Sequence, residues 1–175
     1  WSENELPLWD QRGPDWDDTW ESGEGTNYGV AETKFIRRGD SAYVIVEGPT
    51  WEEAEANANK LGGHLVTIND ADENQWLVDN NLWGWNGFTD KVNEGDWLWI
   101  SGEIGNYTNW GNNDPDNIGN EDYAHINDVG FWGDSNNIGT GNGGPNLKGV
   151  VETKFIRRGD SAYVVVEGPT WEEAE

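Results

Sequence analysis

Between Thr50 and Gly62 the apolar residues Trp51, Ala54, Ala58 and Leu61 recur with the spacing of one helical face. Thr50 stands where an N-cap belongs, Glu53 follows at the capping-box position and Gly62 supplies a stop, so the pattern predicts one helix here. A second helix is expected from Ala71 to Asp79, opened by Asp70 with Glu73 in the same relation. Short apolar stretches, several of them alternating, surround the two: AYVIVEG, HLVTI, WLWI, DYAHI and KGVVETKF read as strands. From Gly102 to Gly144 the chain turns to Asn, Gly and Asp. So long a polar stretch inside a compact domain is either disordered or held by something other than a core.

The pattern also repeats. ETKFIRRGDSAYVIVEGPTWEEAE, Glu32 to Glu55, returns as Glu152 to Glu175 at an offset of 120 positions, with Val165 for Ile45 as the one change. Upstream, Trp16 to Phe35 aligns with Trp132 to Phe155 once four residues are skipped. The expected organisation is therefore a window on a tandem array: residues 1–31 the tail of a preceding repeat, 32–151 a complete domain, 152–175 the start of the next. No Gly/Ser or Pro-rich spacer separates KGVVETKF from the segment that follows, so adjacent units are expected to meet at a fixed seam, with Phe155 closing one and opening the next.

Charge narrows the partners. The 34 acidic against 10 basic residues give a net charge of −24, which argues against nucleic acid or anionic lipid and for cations. The sequence contains no apolar run long enough for a membrane span and no cysteine, so a disulfide framework is excluded. His64 and His125 are the only histidines, both inside strand-like segments. Without Cys or a Ser-His-Asp spacing, enzymatic activity is not expected.

Across the complete unit, WEEAEANA, GGHLVTIND, WNGFTDKVNEGDWLWISGE, NWGNNDPDN, EDYAHIN and FWGD occur in the order of the landmarks of a C-type lectin-like domain, which the unit resembles over nearly its whole length. The resemblance is to a cysteine-free, tandem-repeat form of the kind expected in bacterial extracellular repeat proteins. It implies an α+β fold, two helices packed on small antiparallel sheets, with a long loop region that binds calcium. A loop rich in Asp, Asn and Glu suits the six to eight oxygens that calcium takes. Carried over by position, the sugar-binding ion would be held by Asp114 and Asp116 around a cis Pro115, then Glu121 and Asp134. A supporting ion would fall to Asp90, Glu94, Asn117 and Asp122. Two positions depart from the family pattern: Asp114 is one carbon shorter than the usual Glu or Gln, and Gly133 replaces an Asn. The family's usual helix-to-strand disulfide corresponds to Ala58 and Val151. In the upstream copy Asp17 stands at the place of Gly133.

The resemblance assigns Trp51, Trp85, Trp97, Trp99, Trp110 and Trp132 to the core or framework, leaving Trp1, Trp9 and Trp20 in the upstream tail. Arg38-Gly39-Asp40 spells an integrin-type tripeptide, repeated from Arg158, and is read as a turn entering a strand. Asn106-Tyr107-Thr108 is an N-glycosylation sequon. The function expected is an extracellular or cell-surface array of calcium-binding lectin-like repeats, an adhesin or filament whose partners are neighbouring repeats and glycans. The alternatives are a structural fibre with calcium as stiffener, and an ice- or mineral-binding surface.

Overall fold

The computed structural model describes residues 35–139, 147–158 and 161–164, with backbone alone beyond Lys154. The upstream tail with its tryptophans and Asp17, the second TWEEAE and most of the second Arg-Gly-Asp lie outside the described residues.

Both helices form where the caps place them. In α1 (Trp51–Lys60) the Thr50 hydroxyl accepts the Glu53 amide and donates to the Glu53 carboxylate, while Trp51, Ala54 and Ala58 turn inward. In α2 (Ala71–Asp79) the Asp70 carboxylate accepts the Glu73 amide. Glu55 and Glu73 are buried too, each as an anchor. Glu55 accepts the Leu65 amide and meets His64 Nδ1 at 2.6 Å. Glu73 accepts from the Asn69 amide, the Tyr43 hydroxyl and the Arg38 guanidinium. With Asp70 3.9 Å away as well, Arg38 is an internal tie, in keeping with the turn reading of the tripeptide.

The strands run β1 (Ile36–Arg38), β2 (Ser41–Val46), β3 (His64–Leu65), β4 (Gly84–Thr89), β5 (Leu98–Trp99), β6 (Tyr123–Ile126), β7 (Trp132–Ser135), β8 (Gly149–Arg158) and β9 (Ser161–Val164). Their order is β1-β2-β8-β4-β6-β7, with β3 and β9 also paired to β8, and β5 to β4. The α+β expectation holds, with one correction. The sheet is mixed, because β4 meets β8 in parallel at Trp85↔Gly149 where all other ladders are antiparallel. That junction requires glycine: at Gly84, with φ of 134°, a Cβ would lie 2.1 Å from the Lys148 carbonyl oxygen.

Aromatic rings dominate the core. Trp132 is fully buried and packs edge-on against Phe88, Trp99, Tyr107 and Trp110. Trp51, Trp85 and Trp99 are buried; Trp97 and Trp110 pack on the core from its margin. Ala58 and Val151, where the family's disulfide would lie, share one apolar cluster with Val44, so side-chain packing takes the place of the covalent tie.

Candidate functional site

Of the expected site residues, Asp114, Asp116, Asn117, Glu121 and Asp122 lie in the polar stretch and Asp134 in β7, while Asp90 and Glu94 lie between β4 and β5. The stretch is held by cross-ties to β7: the Gly111 amide donates to the Trp132 carbonyl and the Trp132 amide to the Asn109 carbonyl. Beyond them the chain winds tightly, with positive φ at Asn113, Asn117 and Asn120, a conformation that short polar side chains tolerate. The Asp114-Pro115 peptide is cis.

Asp134, in β7, is 1% exposed. Its Oδ2 accepts the amides of Asp116 and Asn117 at 3.0 and 2.8 Å, and its Oδ1 is buried without a hydrogen-bond partner. Asn117 accepts the Glu121 amide in turn and so swings Glu121 inward. The result is a trio: Asp116, Glu121 and Asp134 each offer an oxygen within 4.8 Å of the others. Burial first, then the charges of Asp134 and Asp116, push the Glu121 carboxyl up to about 7. Three clustered carboxylates with an orphaned buried oxygen fit a divalent cation of oxygen-ligand preference, which would cancel the repulsion and fill the vacant acceptor.

Asp114 stands apart from the trio. Its Oδ2 lies 2.8 Å from where a Cβ on Gly111 would be and 3.5 Å from one on Gly133. From the other side His125 Cε1 comes within 2.8 Å of that same Gly133 position. His125 and Gly133 are direct cross-strand partners, so the ring occupies the space that an Asn side chain at 133 would need. Burial holds the His125 imidazole down to about 4, hence neutral at physiological pH. A shallow pocket of about 230 Å³ opens here, lined by Asp114, His125, Asn127 and Phe131 among others.

Of the supporting set, Asp90 is buried: Oδ2 accepts the Gly95 amide at 2.8 Å and Oδ1 has no hydrogen-bond partner. Burial raises its carboxyl above the usual range, and Glu94 and Asp122 push the same way. The Asp90 amide donates to the Asp122 carbonyl, the Asp122 carboxylate accepts from the Asn120 side-chain amide, and Glu94 is exposed. Among the described residues these carboxylates do not converge as the trio does. Asn117, expected here as a ligand, spends its side-chain oxygen on the Glu121 amide.

Sequence reading missed Gly111, and it placed His125 correctly in a strand without seeing that it faces Gly133. The doublets Trp110-Gly111 and Trp132-Gly133, whose tryptophans form a parallel bridge, are the signal that could have exposed them.

A family model described as the Lectin C-type domain matches residues 47–138, just over half of the chain. This chain belongs to the C-type lectin domain family. Its C-type lectin domain is 37% identical over 94 residues to a perlucin-like protein of Mytilus galloprovincialis, spanning 49% of this chain and 57% of that protein. It is 33% identical over 93 residues to an alpha-N-acetylgalactosamine-specific lectin of Patiria pectinifera, spanning 45% and 54%. The matched part thus covers about half the length of these two relatives. Among solved structures, the carbohydrate-recognition domain of the mouse scavenger receptor C-type lectin matches with a TM-score of 0.61 at 27% identity, over 69% of this chain and 93% of that one. These relatives are animal proteins, so a bacterial type of repeat protein finds no support among them. No helix among the described residues is long and apolar enough to cross a membrane.

The pairing of His125 with Gly133 makes a prediction for this C-type lectin domain. Restoring the family residue by Gly133→Asn is expected to destabilise the fold by about 1–3 kcal/mol through overpacking. Urea unfolding should show this loss, and Gly133→Asn combined with His125→Ala should recover most of it.

Proposed function

We propose that the domain is a calcium-dependent carbohydrate-binding module, not an enzyme, repeated along an extracellular adhesin or filament. The observation that carries the calcium part is the Asp116, Glu121 and Asp134 trio with its unpartnered buried oxygen. Asp114, which stands apart from the trio and lines the shallow pocket, would have to turn toward the ion to complete the shell, and Asp90, Glu94, Asn117 and Asp122 would hold a supporting ion. Calcium there supplies a coordination centre for vicinal hydroxyls, while free carboxylate lone pairs accept hydrogen bonds from the same hydroxyls. The lectin names among the relatives support the glycan part. The repeated 24-residue segment supports the array, with neighbouring repeats as partners.

A second reading, a structural repeat in which calcium only stiffens the unit, draws on Asp114 and Gly133. The first stands outside the trio and the second offers no side-chain oxygen, which thins the shell available to a sugar. A glycan array probed with and without calcium separates the two. Under our reading a defined set of glycans binds with calcium and is lost in chelator. Calcium binding by calorimetry with no glycan retained in either condition would favour the structural repeat.

A further inference from the structure

Two of the ladders that β8 makes, beside its pairings with β3 and β4, follow one another along one unbroken strand. Gly149 to Lys154 pair with β2, from Val46↔Gly149 to Ser41↔Lys154, and Phe155 to Arg158 pair with β9, from Phe155↔Val164 to Arg158↔Ser161. The second ladder reproduces the first hairpin of the unit at the repeat offset. Ile36↔Tyr43, Arg37↔Ala42 and Arg38↔Ser41 become Ile156↔Tyr163, Arg157↔Ala162 and Arg158↔Ser161.

We propose that β8 is a shared strand, the last of one unit and the first of the next, so that the surface it presents fits a following unit of the same sequence. This rests on the array reading above and adds how the units are joined. The near half of the strand is rooted in the core. Val150 and Val151 are fully buried, the Thr153 hydroxyl donates to the Gly62 carbonyl at 3.1 Å, and a Cβ on Gly63 would lie 2.2 Å from the Glu152 carbonyl oxygen. Lys154 donates to the Ser41 hydroxyl at 2.9 Å, so the root is fixed up to the residue at which β8 leaves β2. Beyond Lys154 the strand passes the start of β2 and continues without Gly or Pro as far as Arg158. Val150, Val151, Thr153, Phe155 and Ile156 are residue types that favour strand. At about 3.3 Å per residue the ten residues of β8 reach about 33 Å, the scale of a whole unit. The same ten letters, with Ala31 in place of Val151, stand at Gly29 to Arg38 upstream. A continuous rooted strand passes orientation from unit to unit, so successive calcium faces would be presented at one fixed spacing and rotation.

The absence of cysteine makes the test clean. In the 175-residue chain, spin labels at Ala56→Cys on the exposed side of α1 and at Asp160→Cys between β8 and β9 report the distance across the seam. We expect a narrow distribution, broadened severalfold when Gly-Ser-Gly-Ser is inserted between Lys154 and Phe155, and slow amide exchange at 155–158 and 161–164. A distribution already broad in the parent chain, or one unchanged by the insertion, overturns the shared strand. Failure of the array reading shows separately: protein isolated from its source would have the mass of a single unit, whereas broad distances in a protein of several units sink the shared strand alone.

Discussion

Removing divalent cations with a chelator is expected to lower the melting temperature by about 10 °C or more and to open the stretch between Gly102 and Gly139 to protease. The trio sets the scale. Asp134 and Glu121 are buried carboxylates set against each other and Asp116, and repulsion among them opposes folding unless a cation intervenes. Calcium at about a hundredfold above its dissociation constant stabilises by about 2.7 kcal/mol per site. The cross-ties from Asn109 and Gly111 to Trp132 anchor the beginning of the stretch, but the turn through Asn113 to Asn120 hangs on Asp134 through two amides. Asp134→Ala and Glu121→Ala should therefore reproduce the chelated melting curve and protease pattern. A chelated protein that melts and digests like the untreated one would contradict the assignment.

The second large effect is on pH, and its sign reverses with the cation. Without calcium, the Glu121 carboxyl titrates at about 7 in the folded chain against 4.5 unfolded. A raised carboxylate contributes stability at low pH that is lost as pH rises from the unfolded value through the folded one. The cation-free protein should gain about 2–3 kcal/mol on going from pH 8 to pH 5. Calcium demands the ionised carboxylate, so its affinity should fall about twentyfold between pH 7.5 and 5.5 from Glu121 alone, with proton release on binding. Asp90, also raised, adds to the trend at the supporting site. Melting curves across pH with and without calcium test both halves: parallel curves in the two conditions would show that Glu121 does not face the ion.

How much of this was legible in the letters varies by element, for physical reasons. Thr50 with Glu53 and Asp70 with Glu73 announced both helix starts, because capping is local chemistry between residues three apart. β4 and β7, GWNGFT and WGDS, escaped notice because strands buried on both faces lose alternation, and β4 further holds Gly84 and Gly87 where other backbone crowds in. The strand read from HLVTI shrinks to His64–Leu65: Val66 still bonds Val150 and Gly87 through its backbone but extends no ladder, and Thr67 and Ile68 are buried beyond it. At the site, composition alone pointed only to an oxygen-rich loop; naming its residues took the family resemblance. The exchange of Asn for Gly133 looked like a plain loss in sequence. In the fold it matches a cross-strand neighbour, His125, whose ring fills the space beside Gly133, and such a relation is visible only once register is known.

The central claim, that Asp116, Glu121 and Asp134 hold calcium, is tested most directly by calorimetric titration of the chain with calcium at pH 7.5, beside Asp134→Asn. Saturable binding is predicted, with a dissociation constant no weaker than about 1 mM, the range of extracellular modules, and weakened at least about tenfold in Asp134→Asn. No binding at about ten times that concentration, or equal affinity in the two proteins, would contradict it.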